Sequence, residues 1–314
     1  MVSIDYQAWL RRTLFHALVL AGLVFSAYLV LVAAPGKGTF AIDTLCYWGV
    51  DLADPYRTPW GSCAVSVPPF GYAPPIALLF APFTSLPWPD FVAGWYVLLI
   101  AALAWLGRRD VLLLAAFPPV ALNLADGNIH LLLAVAVVLG FRYPVAWSFV
   151  LLAKVTCGIG LLWFVARREW RALGLALGAT AAIILVTVVL LPSQWLGWLA
   201  FLRDSAVMQQ PWPALPVPLW LRLPVAAAIV WWGARRDARW TVPIAATLAL
   251  PALWLGGLAM LAGCWPLRSS QPATAPQTPD YHPGDARRPA GGLKTRRRAR
   301  PLWAAAPIEH RVRR

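Results

Sequence analysis

Ionisable residues are scarce in this 314-residue chain: Asp, Glu, Lys and Arg together make up 13% of it. Solvated surfaces and chains disordered throughout both need more charge, so neither a soluble globule nor a wholly disordered protein fits. Cysteine is limited to four residues, too few to staple a secreted domain in place of a core. Histidine is equally rare at four. There is no His/Cys metal spacing, no Gly-rich phosphate loop opening a helix and no Gly-x-Ser-x-Gly elbow, which excludes the common soluble-enzyme signatures. No metal and no cofactor is expected. Apolar residues stand where the charges are missing, at 60% of the chain, with a mean hydropathy of +0.63. Apolar runs cover Thr13–Ala33, Val145–Ala166, Ala172–Leu191 and Val242–Leu267. Each has about twenty residues or more, enough to cross ~30 Å of hydrocarbon at ~1.5 Å per residue. The expected class is an all-α, polytopic transmembrane bundle of about 8–10 membrane helices, some of them broken.

The net charge of +14 is a nucleic-acid signal only until it is divided along the chain. Residues 268–314 hold eleven Lys and Arg against Asp280, Asp285 and Glu309. This tail, rich in Pro, Ala, Gly and Thr and without apolar periodicity, reads as a basic, disordered cytoplasmic segment that touches anionic membrane lipids, with no nucleic-acid partner. Residues 1–12 form a cytoplasmic N-terminus ending in Arg11-Arg12, and 13–267 form the membrane domain. The first apolar run is too long for a signal-peptide core and is taken as an uncleaved helix. By alternation, 34–89 is a long first extracytoplasmic loop. It ends in an interfacial helix, because Pro74, Pro75 and Pro82 interrupt Tyr72–Leu86 and Pro87 and Pro89 close it.

Phe91–Gly107, Val111–Ala125 and Ile129–Phe141 then cross in turn, with Asp126-Gly127-Asn128 outside. Val145–Ala166 is flanked by Arg142 on one side and Arg167-Arg168 with Arg171 on the other. A single crossing would place one basic cluster outside, whereas two half-helices meeting near Lys154 keep both inside. The same device suits Trp240–Pro266, broken at Pro251. Between them Ala172–Leu191 goes out, Pro192–Pro213 forms an outer loop and Ala214–Gly233 returns.

The polar outliers therefore gather outside: Asp43, Asp51, Asp54, Arg57, Asp126, Asn128, His130, Lys154, Arg203, Asp204 and Arg222. Ionisable groups inside helical spans are costly in lipid and read first as functional, with pairing or cavity solvation as the plainer role. His130 is either a buried polar group or a phosphate donor, and His16 is structural. Cys46 and Cys63 share the outer loop, where a disulfide and two free thiols are both open. Cys157 and Cys264 read as small packing residues. Many of the 19 Trp fall at helix ends, including Trp88, Trp170, Trp195, Trp198, Trp212, Trp240 and Trp265, as an interfacial aromatic belt requires.

An acid about ten residues beyond the first helix, on a long loop followed by an aromatic-Pro-Pro helix, resembles glycosyltransferase family 87. The resemblance rests on Phe40-Ala-Ile-Asp43, Asp54-Pro-Tyr56, and Phe70-Gly-Tyr72-Ala-Pro74-Pro75 through Leu86-Pro87. It continues at Ala125-Asp-Gly-Asn128, at Leu152-Ala-Lys154 and at Arg167-Arg168-Glu-Trp170-Arg171. It implies the GT-C fold, a polyprenyl-phosphate sugar donor, typically mannose, and a lipid or cell-envelope glycan acceptor outside the cytoplasm of a bacterial membrane. By position it makes Asp43 the catalytic base, with Asp51 and Asp54 as alternatives. Lys154, Arg222 and His130 are then candidates for the donor phosphate, and Tyr72, Asp126 and Asn128 for substrate contact. The chain departs from the family at Leu250-Pro251-Ala-Leu-Trp254-Leu-Gly256, where members often read Ser-Pro-x-x-Trp-x-His, and its membrane part is shorter than usual. A transporter or flippase of lipid-linked intermediates would use the same broken helices, and a non-catalytic scaffold is a third reading. The two halves show no internal repeat, which disfavours the transporter.

Overall fold

The computed structural model describes residues 6–56, 70–207 and 217–268. Arg57, Cys63, Trp212 and the basic tail, and with them the proposed Cys46–Cys63 pairing, lie outside the described residues. By contacts the chain divides into two units, Met1–Gln271 and Pro272–Arg314. Among the described residues every regular element is helical. Two helices are long and apolar enough to cross a membrane: α1 (Tyr6–Gly36) and Trp170–Leu190. A third span is counted if the bent pair Pro118–Asp126 and His130–Gly140 is one.

After α1 the first loop folds into a short helix, α2 (Ile42–Trp48), then α3 (Pro74–Phe80), followed by α4 (Trp88–Gly107). Proline at the first positions of α3 costs no hydrogen bond, since those amides have no helical partner. α3 has 7 residues, too few to cross ~30 Å of hydrocarbon at ~1.5 Å per residue. Next come α5 (Val111–Ala115), α6 (Pro118–Asp126) and α7 (His130–Gly140). The expected crossing over Val111–Ala125 is thus corrected. Pro118-Pro119 cannot continue α5 and starts a new helix instead, leaving pieces of 5 and 9 residues. α6 and α7 meet at an angle of 114°.

The break expected near Lys154 is present. α8 (Trp147–Ala153) stops there, and a 3-10 stretch, Val155–Leu161, leads to α9 (Leu162–Ala166). Pro144 and Arg168, Trp170 and Arg171 line one groove, so the two ends of Val145–Ala166 lie together and the segment doubles back. The last segment behaves alike: α13 (Thr241–Leu248) ends before Pro251, and Leu255–Gly263 and α14 (Cys264–Arg268) return until the Cys264 thiol reaches the Trp240 carbonyl at 3.3 Å. Between these hairpins run α10 (Trp170–Leu190), α11 (Pro192–Val207) and α12 (Leu219–Arg235). The outer loop expected from Pro192 is therefore mostly a helix. Its Gln194 donates to the Leu52 carbonyl and its Trp198 to Gly71 at 3.4 Å, so it packs along the first loop.

The arginines that flank the two hairpins collect at one end. Arg167 reaches the Ala234 carbonyl at 3.1 Å and Asp237 at 3.0 Å, Arg239 lies 5.5 Å over Phe141, and Trp265 donates to Asp110 at 3.0 Å. Trp147, Trp163 and Phe164 fill the core between the hairpins. Cys157 and Cys264 are buried, as packing residues should be.

Candidate active site

Three helix breaks meet away from that basic end, and each must satisfy backbone groups that its helices leave open. At the first, Gly127 takes φ +70° to end α6, and the Asn128 amide bonds the Asn123 carbonyl at 3.0 Å in a Schellman-type closure. The remaining carbonyls of the break are met from outside. Tyr96 Oη donates to Leu124 at 2.7 Å, the Ala41 amide to Ala125 at 2.8 Å, and Trp95 Nε1 to Gly127 at 2.7 Å. The Ala41 contact seats the start of α2 on the break, and Asp43 comes with it.

Asn128 Nδ2 donates to Asp43 Oδ2 at 2.6 Å. Because a carboxylate only accepts, the amide orientation follows from the bond. Asp43 is partly exposed, and its Oδ1 has no hydrogen bond among the described residues. Burial raises the Asp43 carboxyl above the ordinary carboxylate range, while the Asn128 amide and then the Lys154 charge pull it back. One oxygen is held and the other is available, the arrangement a proton acceptor needs.

Lys154 is the second break itself, with φ −145° and ψ 85° between α8 and the 3-10 turn. Its ammonium lies 4.7 Å from the centroid of the Tyr72 ring. It has no carboxylate within ion-pair distance among the described residues. Tyr72 is buried and fixed by three contacts: its hydroxyl pairs with Tyr47 at 3.1 Å, its carbonyl accepts from Tyr56 at 2.8 Å, and the next amide, Ala73, bonds Leu152 at 3.1 Å. An ammonium held over a ring face, with no acid bonded to it, is placed to meet an incoming anion.

The third break, Ala249–Trp254, joins the other two. Thr156 donates to the Ala249 carbonyl and Cys157 to Ala246 at 3.3 Å. A Cβ on Gly256 would stand 3.6 Å from the Asn123 amide nitrogen and 3.8 Å from Asp126 Oδ2. One on Gly257 would stand 3.8 Å from His130 Nε2. The backbone of this turn thus roofs the first break.

Asp43, Asn128, Asp126, Lys154 and Tyr72 are brought together. Two other candidates take different places. His130 is buried under the Gly257 turn, with Nδ1 3.4 Å from Asn123 Nδ2, as a buried polar group is. The Arg222 guanidinium, expected at a donor phosphate, is instead directed at backbone: Nε to Val217 at 2.8 Å, Nη1 to Leu248 at 2.7 Å and Leu250 at 2.8 Å, and Nη2 to Pro251 at 3.1 Å. These bonds have a simple cause, since a broken helix end presents orphan carbonyls that no sequence motif announces. Asp51 and Asp54 accept from the amides of Ala53 at 2.9 Å and Tyr56 at 3.3 Å, each shaping a local turn. Arg203 and Asp204 form an exposed pair at 3.1 Å. Asn123, fully buried with its Oδ1 unpartnered, was missed by sequence reasoning. A lone polar residue in the apolar run before Asp126 was the available signal.

The family model described as glycosyltransferase family 87 matches residues 70–276, more than half of the chain. The match begins after the segment that carries Asp43. No curated protein and no solved structure matches.

Proposed function

Since the chain belongs to glycosyltransferase family 87 and is accordingly a glycosyltransferase, we propose that it moves a hexose, most simply mannose, from a polyprenyl-phosphate donor. The acceptor is a lipid or cell-envelope glycan on the extracytoplasmic side of a bacterial cell membrane, which the chain crosses several times. The observation that carries this reading is the Asp43 carboxylate, pinned by Asn128 at 2.6 Å with its other oxygen available and linked to the Lys154–Tyr72 pair through Tyr47, one helical turn on from Asp43.

In this reading Asp43 Oδ1 accepts the proton of an acceptor hydroxyl while the oxygen attacks the anomeric carbon from the face opposite the phosphate. The anomeric carbon–oxygen bond breaks, its electron pair leaves with the lipid phosphate, and the configuration inverts. The Lys154 ammonium faces the charge that develops on that phosphate, where a cation in a water-poor site is most effective. Tyr72 holds the ammonium in position, Asp126 lines the acceptor side, and Asn128 keeps the base oriented. General-base catalysis contributes about 10²–10⁴-fold.

The test is transfer of labelled mannose from polyprenyl-phosphate mannose by the purified protein, compared with Asp43→Asn. Loss of about two orders of magnitude or more in the variant is expected. Full activity in Asp43→Asn would remove the catalytic assignment.

A further inference from the structure

Arg222 stands on the first turn of α12 and is 7% exposed. A buried guanidinium normally has an acid beside it, yet the hydrogen-bond partners of this one are carbonyl oxygens. The chemistry of those carbonyls explains the choice. Leu248 closes α13, and Pro251, which lacks an amide hydrogen, prevents the chain from pairing them locally. In a membrane such groups must be satisfied by protein or enclosed water. The planar fork of arginine spans Leu248, Leu250 and Pro251 at once, and its Nε ties the assembly to Val217 at the entry of its own helix.

Resting on the site reading above, we infer that Arg222 is a positioning residue: it clamps the turn after α13, and through that turn sets Gly256 and Gly257 against Asp126, Asn123 and His130. The clamp and the glycines are only a few residues apart in sequence. Leu250 itself stands 2.8 Å from where a Gly257 Cβ would be, so any shift of Leu250 is transmitted directly to the roof of the first break. Cys157, three residues from Lys154, donates to the Ala246 carbonyl at 3.3 Å, and Arg222 holds the Leu248 carbonyl of the same helix end at 2.7 Å. Arg222 therefore lies near the donor side, and its role there is distinguished by what it needs: a geometric fork or merely a positive charge.

Arg222→Lys and Arg222→Met separate the two. An ammonium keeps the charge but cannot bridge carbonyls in a fixed fork. Under the positioning role, both variants lose kcat per folded molecule by about 10–100-fold, as small misplacements at a reacting centre do, while the donor KM stays within about threefold of wild type. A direct phosphate contact predicts the reverse, with Arg222→Lys near wild type and Arg222→Met raised in donor KM; that pattern overturns the proposal. So does a lowered melting temperature with unchanged kcat per folded molecule.

A second measurement does not depend on activity. Cysteine at Gly256 fits, because a Cβ there meets only ordinary contacts. Its reaction with a water-soluble maleimide should quicken about tenfold or more in the Arg222→Lys background as the turn loosens. An unchanged labelling rate counts against the clamp. Asp43→Asn is assayed in parallel. Full activity there defeats the base assignment alone, since the Arg222 comparison reads the rate and donor KM of whichever transfer the wild type performs.

Discussion

Replacing Asn128 by Ala removes the single hydrogen bond that Asp43 Oδ2 receives at 2.6 Å, and its consequence has a sign that can be worked out in advance. Burial already lifts the Asp43 carboxyl above its ordinary value, and the Asn128 amide is the larger of the two influences that bring it down. A hydrogen bond to a charged group is worth about 1.5–3 kcal/mol. Its loss therefore raises the carboxyl further above the ordinary carboxylate range. A base must be deprotonated to work, so the acid limb of kcat/KM moves to higher pH. The assay is mannosyl transfer over a pH series, at donor and acceptor concentrations well below KM. Wild type and Asn128→Ala should converge at the alkaline end and separate as pH falls. Convergence matters, because a variant that merely loosened the loop would lose activity at every pH. An acid limb that stays in place in Asn128→Ala, with activity retained, would refute Asp43 as the titrating base.

Asp43→Asn should raise the melting temperature near pH 7 while abolishing transfer, because it removes a carboxylate whose folded form holds its proton more tightly than the unfolded chain does. Stability from such a group falls as pH rises through the window above the ordinary value of about 4, so the gain should shrink as pH is lowered toward it. Gly127→Ala places a side chain at φ +70° and against Thr44 Oγ1; a loss of about 1–3 kcal/mol in denaturant unfolding, with reduced transfer, is expected. Lys154→Met should raise the donor KM about tenfold or more and Lys154→Arg much less, which saturation kinetics in the donor will read. Single cysteines at Asp126 and Arg168 should react with impermeant reagents from opposite faces of the membrane; labelling of Asp126→Cys from the cytoplasm would dissolve the proposed site.

The breaks at Lys154 and Pro251 were legible because they rest on local facts. Basic clusters at both ends of one apolar run, or a proline within it, are incompatible with a plain crossing whatever the neighbours do. The seam between α5 and α6 carried a comparable signal in Pro118-Pro119, but the run around it is apolar enough to read as continuous. α11 was mistaken for a loop because Pro192, Gln194, Arg203 and Asp204 make it polar beside its neighbours. Its apolar side is needed only because the first loop lies there to be covered.

Composition and charge thus determined, without any structure, that the chain belongs in a membrane, where its apolar runs double back and which few acids and cations were available for chemistry. These are one-dimensional properties: hydropathy over about twenty residues and the side on which arginines collect. Only the tertiary structure decided that three breaks face one another and that Asp43 is held by a residue 85 positions away. It also gave the free charge to Lys154 and the orphan carbonyls to Arg222. Which open carbonyl meets which donor depends on how helices pack side by side. Two arginine or lysine side chains of equal promise in the sequence are told apart by whether backbone or empty space lies within reach of their nitrogens.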